Sequence, residues 1–252
     1  MRRYRCFAAP QDISGNRARL SPAESHYLQH VLRLSPGSTL ELFDGQGHSY
    51  RAVLRCLQPS AEAEILEACP EPQPGESPLR LVLVQALIRA DPFEWVLQKG
   101  TELGVHAFFP LHGRHCEIHP GSPESQKNRQ LRWEKIVQAA ARQCRRSAVP
   151  IVHPVADFSS LKDRALSDPA TLRMALLEEG GRPFTDLPAL PEPPAVQLWI
   201  GPEGGWSADE AAFLRSSCFP LSLGPRVLRA ETAAVAAAAL LQSLWGDLSG
   251  HA

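Results

Sequence analysis

At 252 residues, with 44% hydrophobic and 21% charged residues, the chain has room for one large or two modest domains and is too apolar for wholesale disorder. Its 26 basic and 27 acidic residues leave a net charge of −1, so overall charge selects no class of partner. Only Lys99, Lys127, Lys135 and Lys162 are lysines; the remaining 22 basic residues are arginines, a bias we read as mainly genomic. The longest apolar run near the C-terminus, Ala233 to Leu241, is far below the roughly 18 residues of a membrane span. The basic start (Arg2, Arg3, Arg5) is followed only by Cys6 to Pro10, too short for a signal-peptide core, so a cytoplasmic location is expected. Cysteines 6, 56, 69, 116, 144 and 218 form no C-x-x-C pair, which argues for reduced packing residues and against a zinc site; no metal is expected.

In chain order, the first helix signal is Ser21-Pro-Ala-Glu24, with an N-cap serine, proline at the first helical position and Leu28, Val31 and Leu32 at helical spacing. Short apolar segments follow at Leu40–Phe43, Tyr50–Leu54 and Ala63–Leu66, separated by turns such as Asp44-Gly-Gln-Gly47, the rhythm of a small β-barrel or sandwich. Four prolines and a glycine between Pro70 and Pro78 mark a linker, placing domains at 1–71 and 79–252 with 72–78 between them. Beyond it, strands alternate with longer helices, which predicts an α/β domain with a largely parallel sheet. Strands are expected at Leu81–Leu87, Arg173–Leu177, Val196–Ile200 and Leu221–Leu223. Helices are expected from an Asp91 cap to Gly104, over Gln126–Arg146, and over Glu231–Trp245.

Two segments after strands concentrate the chemistry. Ile200-Gly-Pro-Glu-Gly-Gly-Trp206 leads into a Ser207–Glu210 capping box, and Leu223-Gly-Pro-Arg-Val-Leu-Arg-Ala-Glu-Thr232 opens the last helix. Ligands in α/β sheets bind at the carboxyl ends of strands, where glycines admit them close to the backbone. Glu203 disfavours a phosphate there and tolerates a neutral or cationic ligand, and the missing Gly-Lys-Ser/Thr argues against a P-loop.

Both loops resemble the signature segments of the RsmE-type 16S ribosomal RNA uridine N3-methyltransferases, in the SPOUT superfamily, nearly residue for residue. The resemblance extends to Gln98–Val105, to Arg132-Trp-Glu-Lys-Ile136 with the helix around it, and to Val31-Leu-Arg33, Gly37 and Asp44-Gly45. It implies a PUA-like RNA-binding domain, a knotted α/β methyltransferase domain, a homodimer, S-adenosyl-L-methionine as cofactor, and 16S ribosomal RNA, in the small ribosomal subunit, as partner. Pro92, Phe93 and Arg142 depart from the pattern. The cofactor site implied comprises Leu176, Ile200, Gly201, Pro202, Glu203, Gly204, Gly205, Leu223, Gly224, Val227 and Leu228. Methylating the weakly acidic uridine N3 builds negative charge on the flanking carbonyl oxygens, for which Arg229 is the candidate stabiliser. Glu231 is a candidate base or an orienting group for Arg229, although a carboxylate there also suits a helix start.

Local counting finds positive charge that the total conceals. Residues 1–33 carry a net +4 and residues 112–150 a net +5, from which Arg2, Arg5, Arg19, His26, Arg33, Arg132 and Arg146 are taken as candidate RNA contacts. A related enzyme acting on another base or a ribose hydroxyl, and a ribosome-binding assembly factor without catalysis, are the alternatives the sequence leaves open.

Overall fold

A computed structural model describes residues 4–70, 75–165, 170–190, 192 and 194–249. The chain divides into two compact units, residues 1–76 with 138–149, and residues 77–137 with 150–252. The seam thus lies at Glu76/Ser77, at the end of the expected linker, part of which falls outside the described residues. The first unit also claims residues 138–149, which the sequence assigns to the second domain.

In the first unit, β1 (Tyr4–Phe7), β2 (Ile13–Ser14), β3 (Arg17–Arg19), β4 (Thr39–Phe43), β5 (Ser49–Cys56) and β6 (Glu62–Ala68) build one sheet in the order β1-β4-β5-β6-β3-β2, with a short α1 (Pro22–His26) between β3 and β4 in the chain. Only β1 and β4 run parallel; the other pairings are antiparallel. Cys6, Leu20, Leu28, Leu40, Leu42 and Leu54 fill its core. Leu28 is buried as the helical spacing requires, whereas Val31 is exposed, because a π-helical turn over Tyr27–Val31 rotates it outward.

Two of the expected RNA contacts are corrected here. Arg5 is only 8% exposed, and its guanidinium donates to Glu41, to the Arg146 carbonyl and to the hydroxyls of Ser49 and Ser147 at 2.8–3.3 Å. Arg146 is 3% exposed and donates to Glu76 at 3.2 Å, whose other oxygen accepts the backbone N–H groups of Ser147 and Ala148. Their donors are used inside the protein, so neither side chain is presented to RNA; both explain why residues 138–149 count with this unit. Arg142 also acquires a purpose. It pairs with the buried Glu24 and lies over the Tyr27 ring at 4.7 Å, so its departure from the family pattern accompanies an internal ion pair.

Glu24, at the third position of α1, does not close a capping box. Ser21 accepts the Glu24 N–H, but the Glu24 carboxylate turns inward to accept from the Phe7 N–H instead of returning to the cap. Burial raises its pKa above the ordinary carboxylate value, against the lowering influence of Arg142, and burial with the nearby Glu24 charge pushes the Cys6 thiol up to about 12. A carboxylate with a raised folded-state pKa stabilises the fold at low pH and loses that contribution as pH rises through the folded value. The stability advantage of wild type over Glu24→Gln should therefore shrink from pH 4 toward pH 7, by at most about 1.4 kcal/mol per pH unit for one proton. Denaturant titrations of both proteins across that range measure it; an advantage that grows with pH would refute the assignment.

The second unit contains β7 (Arg80–Ala86), α2 (Ala90–Glu102), β8 (Ala107–His112), α3 (Pro123–Cys144, counted here through Val137), β9 (Ile151–Val152), β10 (Ala156–Asp157), α4 (Phe158–Ala165), β11 (Leu172–Leu176), β12 (Ala195–Ile200), α5 (Ala208–Ser217), β13 (Phe219–Leu221) and α6 (Ala230–Trp245). Its sheet runs β10-β8-β7-β12-β11-β13, with β9 also against β8, and these pairings are all parallel. The continuous burial of Leu81 to Ile88 follows from a parallel sheet covered on both faces. Helix α2 starts earlier than expected: Arg89 is its N-cap, with no side-chain bond, and Asp91 and Pro92 fall inside the first turn, where a missing N–H costs no intrahelical bond. Gly104, at φ +77°, follows the helix in the left-handed region. Phe93 stacks on Trp133 with ring centroids 4.6 Å apart, a packing role for a second departure.

Candidate active site

Parallel alignment places the carboxyl ends of β11, β12 and β13 on one edge, and the chain leaving each borders a single cleft of about 620 Å³. The eleven residues expected to hold a cofactor all line it: Leu176 from the end of β11, the Ile200–Gly205 turn after β12, and Leu223, Gly224, Val227 and Leu228 after β13. Strand β13 ends two residues before the expected position, which lengthens the last loop to Ser222–Arg229. Val227 is 86% exposed, an apolar side chain in the wall of an open cleft.

The glycine turn is held from two sides. A Cβ on Gly201 would come within 3.1 Å of the Trp206 ring, whose Nε1 donates to the Leu176 carbonyl at 3.0 Å and so ties the turn to the end of β11. Gly205 at φ +69° and Gly224 at φ +102° occupy conformations that side chains disfavour. Helix α5 begins in the expected capping box: Ser207 Oγ accepts the Glu210 N–H, and Glu210 Oε2 accepts the Ser207 N–H at 2.9 Å. Glu178, Glu179 and Arg215 also line the cleft, and sequence reasoning passed over them. The strand-end rule that found the glycine loops points equally to Glu178 and Glu179, just beyond β11; Arg215, on α5, enters only through tertiary packing.

The cleft has the size and mixed lining of a small-molecule site of about 300–1,000 Å³. Comparison with known proteins supplies its context. The chain matches a family model described as an RNA methyltransferase domain over residues 75–242, and one described as an RNA methyltransferase PUA domain over residues 20–55. It is 34% identical to the ribosomal RNA small subunit methyltransferase E of Synechocystis, over 96% of this chain and 78% of the relative. The Bacillus subtilis protein of that name is 30% identical over 83% of each chain. The chain belongs to the ribosomal RNA small subunit methyltransferase E family.

Two solved structures in this neighbourhood are a Neisseria gonorrhoeae ribosomal RNA small subunit methyltransferase E bound to S-adenosyl methionine (TM-score 0.87) and a Legionella pneumophila putative methyltransferase in complex with bound cofactor SAM (TM-score 0.88). Each is 32% identical over 98% of this chain and all of the neighbour. The second unit is therefore the RNA methyltransferase α/β domain of the family, and the first carries its PUA domain.

The remaining expected site residues fall in different places. Arg229 is exposed, lines the cleft as the N-cap of α6, and makes no side-chain hydrogen bond there. Glu231 is half-buried in the first turn of α6, outside the cleft lining, and forms no ion pair with Arg229 among the described residues, so the orienting role is not what the geometry provides. Arg19, His26 and Arg33 are exposed on the first unit; Arg19 lies 3.6 Å from Glu62, and the His26 and His30 rings are 4.5 Å apart. Arg132 is exposed but paired with Glu94 at 2.6 Å, which raises its pKa further. Arg2 lies outside the described residues. Among the described residues no cluster of three or more His, Cys, Asp or Glu is placed to hold a metal, and no helix is long and apolar enough to cross a membrane.

Replacing Trp206 by Phe keeps the ring against Gly201 but strands the Leu176 carbonyl. The loss should cost about 1 kcal/mol and lower the melting temperature by roughly 2–4 °C in a chain of this size, measured by calorimetry. An unchanged melting temperature would show that this bond does not hold the turn.

Proposed function

We propose that this family member transfers a methyl group from S-adenosyl-L-methionine to N3 of a specific uridine in 16S ribosomal RNA, acting on the small subunit in the cytoplasm as a homodimer. The observation that carries the reading is the single cleft formed by the two glycine loops with Arg229 at its edge. The residues present suit the cofactor. The open space at Gly224 and at Gly205 admits a ligand to main-chain groups, while the exposed Glu203 favours a sulfonium cation over a phosphate. When bound, that group supplies the methyl carried on its sulfonium.

On the protein side, Arg229 is proposed to meet the carbonyl oxygen on which charge accumulates as N3 loses its proton, and holding N3 in line with the methyl supplies further acceleration. Glu231 is retained as a candidate for the proton, reached only if the first turn of α6 shifts when substrate binds. Modification of a pairing edge requires an unpaired or flipped-out base, which the assembled subunit can present. For RNA outside the cleft, Arg19, His26 and Arg33 on the PUA-bearing unit remain the proposed contacts, with Arg132 only after release from Glu94. The exposed Leu240, Leu244 and Leu248 on and after α6 offer an apolar surface for the proposed dimer. The knot implied by the resemblance belongs to the same reading.

Nucleoside mass spectrometry of small-subunit RNA from a deletion strain tests the reaction. Loss of 3-methyluridine, restored by wild type but not by Arg229→Ala, is the expected result, with the purified variant slowed on the order of 10²–10³-fold in kcat. Unchanged 3-methyluridine on deletion would overturn the assignment. For the cofactor, Gly201→Val and Gly224→Val should each weaken calorimetric binding of S-adenosyl-L-methionine by about tenfold or more, since a branched side chain meets the Trp206 ring at one position and a strained φ at the other. Wild-type affinity in both would place the cofactor elsewhere. For RNA, replacing Arg19 and Arg33 by alanine should reduce the salt dependence of subunit binding by about one to two units of log–log slope; an unchanged slope would remove these residues from the interface.

A further inference from the structure

The segment after β8, Gly113-Arg-His-Cys116, is fastened to the glycine turn by a carboxylate that already has a task. Glu210 is 6% exposed, and while its Oε2 closes the α5 cap, its Oε1 accepts the Arg114 backbone N–H at 2.9 Å. A second attachment is made by His115, whose Nδ1 lies 3.2 Å from the Gly204 carbonyl; a carbonyl only accepts, so this nitrogen carries the proton. The approach is close enough to favour glycine at both positions. A Cβ on Gly204 would lie 3.1 Å from the His115 Cβ and carbonyl oxygen, and one on Gly113 would lie 3.1 Å from Glu210 Oε1. Beneath them the Gly113 N–H donates to the buried Cys116 sulfur at 3.2 Å, and burial raises that thiol's pKa.

This scaffold fixes the backbone of Arg114 beside Gly204, itself a cleft residue, at the carboxyl end of a strand in the same parallel sheet. The side chain is left over. Arg114 is exposed, and its guanidinium has no hydrogen bond or ion pair among the described residues. Four of the seven other Lys and Arg residues of the 112–150 stretch are engaged elsewhere: Arg129 over the Trp133 ring, Arg132 with Glu94, Arg142 with Glu24 and Arg146 with Glu76. An immobilised backbone carrying an uncommitted guanidinium beside the cleft is suited to bidentate capture of a phosphate.

We infer that Arg114 contacts a backbone phosphate of the RNA strand bearing the target nucleotide, held in place by Glu210 and His115 as positioning residues; the inference rests on the function proposed above. The test compares wild type, Arg114→Ala, Arg114→Lys and Glu210→Ala on small ribosomal subunits prepared from cells lacking this methyltransferase. Subunit KM, S-adenosyl-L-methionine KM and the salt dependence of subunit binding are measured. Arg114→Ala should raise subunit KM about tenfold and reduce the log–log salt slope by about one, with cofactor KM within about twofold of wild type. Lysine should restore the slope but only part of the affinity, since it keeps the charge without the fork. Glu210→Ala should raise subunit KM, and adding it to Arg114→Ala should raise it little further, because the pair acts through one contact.

Unchanged subunit KM and salt slope in Arg114→Ala, or an equal rise in cofactor KM, would overturn the inference. The proposed function fails separately. A wild-type protein that transfers no methyl group to subunits, yet binds them with an Arg114-dependent salt slope, would refute the methyltransferase reading and leave the phosphate contact standing.

Discussion

Parallel pairing of β7, β12, β11 and β13 is the constraint on which the site depends, since it alone brings segments far apart in sequence to one edge of one sheet. Each strand delivers its following loop in the same direction, so Leu176, Gly201 and Gly224 line one cleft although some fifty residues separate the first from the last. An antiparallel insertion anywhere in that order would send one of these loops to the opposite edge. The apolar runs of the central β7 and β12 are buried almost throughout, and the large buried side chains of Trp199, Leu198 and Leu83 hold their register against slippage.

Arginine serves two separate ends in this chain. Arg5, Arg142 and Arg146 are internal struts whose guanidinium groups are matched to carboxylates, hydroxyls or carbonyls. Arg19, Arg33, Arg114 and Arg229 are exposed, and the last two stand in or beside the cleft. Breaking a buried pair leaves a desolvated charge behind and is expensive, whereas removing an exposed arginine changes little in the fold and much in what the surface can hold.

The cleft was largely legible in the sequence because its signals are local. Glycines after an apolar run, a Ser207–Glu210 cap and a Gly224 turn are backbone requirements written in consecutive residues. The two kinds of arginine were not distinguishable that way. Nothing adjacent to Arg5 or Arg146 announces burial; their partners lie 36 to 142 positions away for Arg5 and 70 away for Arg146. Strand β8 escaped notice because Pro110 interrupts a run of only six residues, and with it went the segment that packs on Gly204. Arg142 and Phe93 departed from the family pattern without visible cause until Glu24 and Trp133 were found against them.

The indole of Trp206 combines two properties described separately. It borders the cleft with its ring filling the space beside Gly201, and its Nε1 is bonded to the Leu176 carbonyl at the cleft's rim. Trp199, by contrast, is fully buried on β12, shielded from solvent. Of the chain's five tryptophans, Trp206 is the one that lines the cleft, which puts an intrinsic fluorophore at the turn where the proposed cofactor would enter and gives a label-free signal with which occupancy can be sought without turnover.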